Sequence, residues 1–177
     1  MATTSNHISS SSCTPCWDVF LSFYGKDTRE NFTAHLYSAL VRAGILTFRD
    51  DPELDKGEEI SRGLLNAIHG SQLLIVVLSQ NYASSRWCLD ELVEILTCKR
   101  TSGNVVIPVF YYIDPSHLRY LKGGFKDALD VHKTRYSVDV IEKWKSALAE
   151  IAELSGYHLK TDATEYVSFP LFVVLLI

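Results

Sequence analysis

Two kinds of hydrophobic pattern alternate along the chain. Trp17–Phe23, Leu73–Leu78 and Val105–Tyr112 are nearly unbroken apolar runs, the second reading LLIVVL and the third rich in β-branched and aromatic residues. Continuous apolarity over strand length predicts strands covered on both faces. Between these runs apolar residues return every three or four positions. Phe32, Leu36, Ala39, Leu40 and Ala43 predict a helix that opens at Asp27, spaced from Glu30 as in a capping box, and stops at Gly44. Ile45–Phe48 predicts a short second strand. Ile60, Leu64, Ala67 and Ile68 predict a helix over Glu58–His69 closed by Gly70. Two more amphipathic helices are expected over Phe125–Lys133 and Val138–Leu154, with a brief fifth strand at Gly156–Leu159.

Strand–helix alternation with short connections predicts an α/β domain built on a mostly parallel sheet with right-handed crossovers. Ligands of such sheets sit beyond the carboxyl ends of the strands, where loops lead into helices. Tyr24–Thr28, Arg49–Gly57 and Ser79–Trp87 are the three loops expected on that edge. Strand order does not follow from periodicity.

The stretch Ser79–Leu92, SQNYASSRWCLDEL, places a tryptophan and several carboxylates at one such junction. Ser84 and Ser85 offer N-caps for a helix continuing towards Arg100. At about 100° per residue, Cys88, Leu89, Leu92, Ile95 and Leu96 form its buried stripe, while Asp90 and Glu94 point away. Glu91 falls on the shoulder, one turn from Trp87. A single helix glutamate is most often simply exposed; the sharper expectation is a half-buried acid at the mouth of a cleft.

Composition narrows the range of functions. With 177 residues and 47% hydrophobic composition, the chain is sized for one domain with an ordinary core. A net charge of −4 without a long basic run argues against nucleic acid as a partner. Residues 1 to 15 form a polar, Ser-rich tail with neither an apolar h-region nor Lys or Arg, so a cytoplasmic or nucleocytoplasmic address is expected. Cys13 and Cys16 form a CxxC, but it precedes the first strand and lacks a second ligand pair, which makes it an incidental motif. His35, His69, His117, His132 and His158 show no metal-ligand spacing, and no metal site is expected.

From Trp17 to about Leu159 the chain resembles the plant Toll/interleukin-1-receptor (TIR) domain. The resemblance rests on DVFLSF at Asp18–Phe23 with Gly25, Asp27 and Thr28; on Gly57–Ile60; on NYASSRWCLDEL at Asn81–Leu92; and on Val106–Tyr111 ahead of Asp114-Pro115-Ser116. It implies a flavodoxin-like three-layer fold with a five-stranded parallel sheet over residues 16–160. It also implies an NAD⁺ nucleosidase that cleaves the nicotinamide–ribose bond when self-associated and signals in plant innate immunity and cell death. Glu91 takes the catalytic position. Substrate contacts fall on Trp87, Tyr24, Gly25, Lys26, Asp27, Thr28, Arg29, Phe48, Asp50 and Ser84. NAD⁺ is the substrate and no cofactor is implied. Ala34, His35 and Gly57 fall on assembly surfaces, so other TIR domains are the implied partners.

The chemistry suits a single carboxylate. Nicotinamide leaves as a neutral base, so no general acid is needed, while positive charge grows on the ribose and a fixed anion can stabilise it.

The chain departs from the family pattern at several positions. Tyr24-Gly25-Lys26-Asp27 stands where the family has Arg-Gly-Glu-Asp, Ala34-His35 where Ser-His is common, and His117-Leu118-Arg119 where Asp-Val-Arg is usual. Residues 161–177 form an atypical apolar tail broken by Pro170 and shorter than the ~18 residues of a membrane span, so membrane association is not expected. A truncated or alternatively spliced end and a membrane- or partner-seeking tail are both compatible with it. No phosphate-loop GxxxxGK[ST] occurs, as expected of a TIR-only protein. The competing function is a non-catalytic homotypic TIR adaptor or decoy. A phosphoacceptor receiver shares the fold class but needs an aspartate where Leu78-Ser79 stands.

Overall fold

The structure is a computed structural model that describes residues 17–49 and 62–159. Five strands form one sheet: β1 (Trp17–Phe23), β2 (Thr47–Arg49), β3 (Ser71–Leu78), β4 (Val105–Tyr111) and β5 (Tyr157–Leu159). Every neighbouring pair is parallel, in the order β2-β1-β3-β4-β5. The chain steps outward from β1 to β2, returns across to β3, and then continues the other way. The reversal leaves a crevice at the carboxyl ends of β1 and β3, the place where a doubly wound sheet holds ligands.

The central strands are apolar on both faces because both faces are covered. Phe20, Leu74, Val76, Leu78, Val106 and Phe110 point into one core layer with α3 (Arg62–Gly70), α4 (Arg86–Ser102), α6 (Gly124–His132) and α7 (Val138–Ile151). Val19, Leu21, Phe23, Leu73, Ile75 and Val77 point the other way, onto Phe32, Leu36 and Leu40 of α2 (Phe32–Arg42). Successive residues of a strand face opposite sides, so a single apolar run feeds both layers. The close pairing of β5 beside β4 depends on Gly156. A β-carbon there would lie 2.4 Å from the carbonyl oxygen of Pro108.

The five-stranded parallel sheet agrees with the fold class read from the sequence, and several boundaries move. The first predicted helix divides into a single turn, α1 (Gly25–Thr28), and α2. Asn31 interrupts it, because its side-chain oxygen accepts from the Phe32 N–H and caps a new start. The second strand lies two residues later than its apolar signal at Ile45. The Leu46 N–H is taken by the Asp18 carboxylate at 2.8 Å, while the Leu46 carbonyl accepts from the Asp18 and Val19 N–H groups, so regular pairing begins only at Thr47. Of the helix expected over Glu58–His69, residues 58–61 lie outside the described residues. Asp114-Pro115-Ser116 is not only a turn: Asp114 caps Ser116 at 2.8 Å, and Pro115 opens a short helix, α5 (Pro115–Arg119). Among the described residues no helix is long and apolar enough to cross a membrane.

Candidate functional site

The loop after β1 and the loop after β3 meet at the crevice. Asp27 joins them: its Oδ2 accepts from the Asn81 backbone N–H and its Oδ1 from Asn81 Nδ2, both at 3.0 Å. The capping-box reading of Asp27 is therefore replaced by a role between loops, although Asn31 Nδ2 also donates to the Asp27 carbonyl at 3.0 Å. Tyr24 sits half-buried against the same core layer as Cys88. Its phenol is held above the ordinary tyrosine range, by burial first and then by Asp27 and Cys88.

Beneath these loops lies a buried polar chain. Ser22 Oγ is 2.8 Å from the Tyr82 hydroxyl, and that hydroxyl donates to the Cys88 carbonyl at 2.9 Å. The Cys88 thiol is 3.5 Å from the carbonyl of Phe23. Ser22, Tyr82 and Cys88 tie the end of β1 to the first turn of α4, and all are almost fully buried. The short 3₁₀ turn Tyr82–Ser84 that carries the tyrosine hands over to α4 through Ser85, whose Oγ accepts from the Cys88 N–H at 3.4 Å. Ser85 is thus the cap, while Ser84 is exposed in the preceding turn.

Glu91 is only 2% exposed. The expectation of a half-buried acid on the helix shoulder is corrected here. The buried arc of α4 runs from Cys98 round to Leu89, and the row Cys88, Glu91, Ile95, Cys98 lies within it. A stripe centred on Leu92 alone would leave Glu91 at its margin. Packing of α3 and the 3₁₀ turn onto α4 widens that stripe. Glu91 lies near enough to Tyr82 that its charge, after burial and Cys88, helps push that phenol well above the ordinary tyrosine range. Carboxylates are seldom buried so fully, which marks this one as a functional candidate.

The remaining candidates have different placements. Trp87 is half-buried on the α4 edge it shares with Glu91, one turn earlier. Gly25, Lys26, Asp27 and Arg29, with Glu30 and Asn31, line a cleft of about 390 Å³. Arg29 folds its guanidinium over Gly25, where a β-carbon would come within 2.5 Å of it. Thr28 points inward instead: it is fully buried, its hydroxyl donates to the Tyr24 carbonyl at 3.4 Å, and it accepts from Thr33 Oγ1 at 2.9 Å. Phe48 stacks on Phe20 at 5.5 Å and meets Trp17 edge-on at 5.4 Å. Ala34 and His35 lie on α2, the first half-buried and the second exposed. Asp50 and Gly57 lie outside the described residues.

Sequence reasoning did not single out Asn81, Tyr82, Ser22 or Ser79. Ser79 directly follows β3 and is almost fully buried, and its Oγ has no hydrogen-bond partner among the described residues. The signal available for these residues was position alone, since each follows or ends a strand at the switch point.

Comparison with known proteins assigns this geometry to a family. The family model for the TIR domain matches residues 16–167. The chain belongs to the TIR domain family. The TIR domain is 52% identical over 172 residues to the disease resistance protein RPV1 of Vitis rotundifolia, a match that covers 93% of this chain and 12% of that protein. It is 50% identical over 159 residues to the TMV resistance protein N of Nicotiana glutinosa, covering 89% of this chain and 14% of that one. The chain thus spans only a small part of the length of these relatives. Among solved structures it superposes on a TIR domain of the activated Roq1 resistosome with a TM-score of 0.81 and 40% identity, covering 91% of this chain and 99% of that one.

Proposed function

We propose that this TIR domain is an NAD⁺ nucleosidase that acts in plant immune signalling, with Glu91 as its catalytic residue. The observation that carries the reading is a carboxylate 2% exposed on the first turns of α4, directly behind the crevice where the sheet changes direction. In this low-dielectric setting a preorganised charge acts strongly on the cation that develops on the ribose as nicotinamide departs. Neutral nicotinamide carries away the bonding electron pair, and water or a ribose hydroxyl takes the vacated carbon. Trp87 supplies an aromatic wall one turn before Glu91, and the Gly25–Arg29 cleft receives the rest of the nucleotide.

The relatives that support the immune reading are named for disease resistance, and the Roq1 neighbour belongs to an activated assembly of TIR domains. Self-association with other TIR domains is therefore part of the proposal. A contact between unlike faces would make the fraction of active sites rise with protein concentration. The depth of Glu91 favours a second reading in which the isolated domain binds other TIR domains without turnover. The experiment that separates the two is nicotinamide release from NAD⁺ at rising protein concentration, beside Glu91→Ala. Release that climbs with concentration and vanishes in the variant is expected. Equal release by both proteins would remove Glu91 from the mechanism, and an inactive wild type at high concentration would favour the adaptor.

A further inference from the structure

A second cluster of chemistry-bearing side chains lies at the other end of α4. The helix runs from the carboxyl edge of the sheet back towards its amino edge, where Asn104 Nδ2 donates to the Ser71 carbonyl at 2.7 Å. His69, near the end of α3, lies just before that strand start. Its Nδ1 is 3.5 Å from the Cys98 sulfur, and its Nε2 is 2.7 Å from Glu94 Oε1. Glu94 and Cys98 are one turn apart on α4 and share a face. The ligand atoms of all three lie within 4.8 Å of one another.

We propose that Cys98 and His69 are ligands of a thiophilic divalent cation of the zinc class, with Glu94 as the positioning residue that orients the imidazole. The sulfur–nitrogen distance of 3.5 Å fits a shared metal. Tetrahedral zinc holds sulfur at about 2.3 Å and nitrogen at about 2.0–2.1 Å, which separates the two ligand atoms by about 3.5 Å. A carboxylate on Nε2 requires the proton there, so the lone pair of Nδ1 faces the sulfur. Donation of the second ring N–H to a carboxylate is the usual support of a metal-bound histidine. Cys98 is fully buried, but the His69 side chain is 51% exposed, so the cation reaches the sulfur from the solvent side of the ring.

Binding replaces the thiol proton: the S–H bond breaks, the S–metal bond forms, and one proton is released to solvent. Water completes the coordination shell. The bound cation fastens α3 to α4. His69 and Cys98 stand 29 residues apart, a separation that no metal-spacing motif covers.

Cobalt(II) serves as the spectroscopic probe. The reduced full chain carrying Cys13→Ser and Cys16→Ser, which removes the tail thiols, is titrated anaerobically with Co²⁺. One equivalent is expected to produce a thiolate-to-cobalt charge-transfer band, which added Zn²⁺ abolishes. The band is expected to disappear in Cys98→Ser and in His69→Ala, and to need about tenfold more Co²⁺ in Glu94→Gln. The His69→Ala arm does not depend on a core substitution, because that side chain is largely exposed. Absence of the band from the parent chain, or its survival in His69→Ala, would overturn the site. An unchanged Glu94→Gln titration would remove Glu94 from it.

Discussion

Glu91 and Glu94 stand three residues apart on α4 and share a residue type, a helix and a core, yet their environments differ completely. Glu91 is 2% exposed within the core arc of the helix. The Glu94 side chain is 26% exposed and pairs with His69 at 2.7 Å. Asp90, one position before Glu91, meets a third environment, accepting from Trp144 Nε1 at 2.8 Å and from Arg86 Nε at 3.0 Å. Three acids on one helix thus divide into a buried charge, a structural acceptor and a partly solvated pair. The lesson is that about 100° of helical rotation decides what a carboxylate can do, because rotation sets which neighbours replace its water.

The largest effect should come from Glu91. Glu91→Gln keeps the shape and removes the charge, so nicotinamide release is expected to fall by about 10²-fold or more. Its melting temperature should stay nearly level, since glutamine keeps the shape of the side chain and its hydrogen-bonding capacity. A loss of activity matched by a fall in melting temperature would instead place Glu91 with Asp90 among the structural acids.

Asp90 comes next. Trp144 is 1% exposed and edge-on to His132 at 5.2 Å and to Tyr136 at 5.1 Å, so its indole N–H fixes a whole aromatic group against α4. Trp144→Phe strands one oxygen of Asp90 and shrinks the ring, with an expected cost of about 2 kcal/mol in urea unfolding. A cost near zero would show that Asp90 is held by Arg86 alone. A smaller loss is expected at the crevice itself. Asp27→Ala releases both hydrogen bonds to Asn81, which should cost about 1 kcal/mol, and Asp27→Asn should recover part of it because one acceptor oxygen remains. Equal stability of the two variants would show that the loops are held together by packing.

Much of this architecture was legible in advance for a physical reason. Strands buried on both faces leave unbroken apolar runs such as Leu73–Leu78, and these runs fix the fold class. The Asn31 interruption was masked because Phe32 and Leu36 keep their helical spacing whether the helix starts at Asp27 or at Phe32. Glu91 could be singled out by rotation, but its depth could not, since burial depends on how many elements close over α4. The contacts from Asp27 to Asn81, Ser22 to Tyr82 and His69 to Cys98 join residues 54, 60 and 29 positions apart. Local pattern carries no information about such pairs; only strand order brings them together.

The smallest effect belongs to Glu94, and it bounds the comparison from below. In metal-free protein the pair with His69 is screened on both sides, with side chains 51% and 26% exposed. The gain from that hydrogen bond is then largely offset by desolvation and by the entropy of holding both side chains. A double-mutant cycle of His69→Ala and Glu94→Ala, read by urea unfolding with a chelator present, should return a coupling below about 1 kcal/mol. A coupling above about 2 kcal/mol would mean that Glu94 is as dependent on its partner as a buried charge is. The two ends of α4 would then no longer differ in kind. Repeating the cycle with Zn²⁺ sharpens the same point. A cation held by Cys98 and His69 stabilises only the folded chain, so His69→Ala should cost more with the metal than without it. If zinc leaves the cycle unchanged, the weak pair is all that this end of the helix contains.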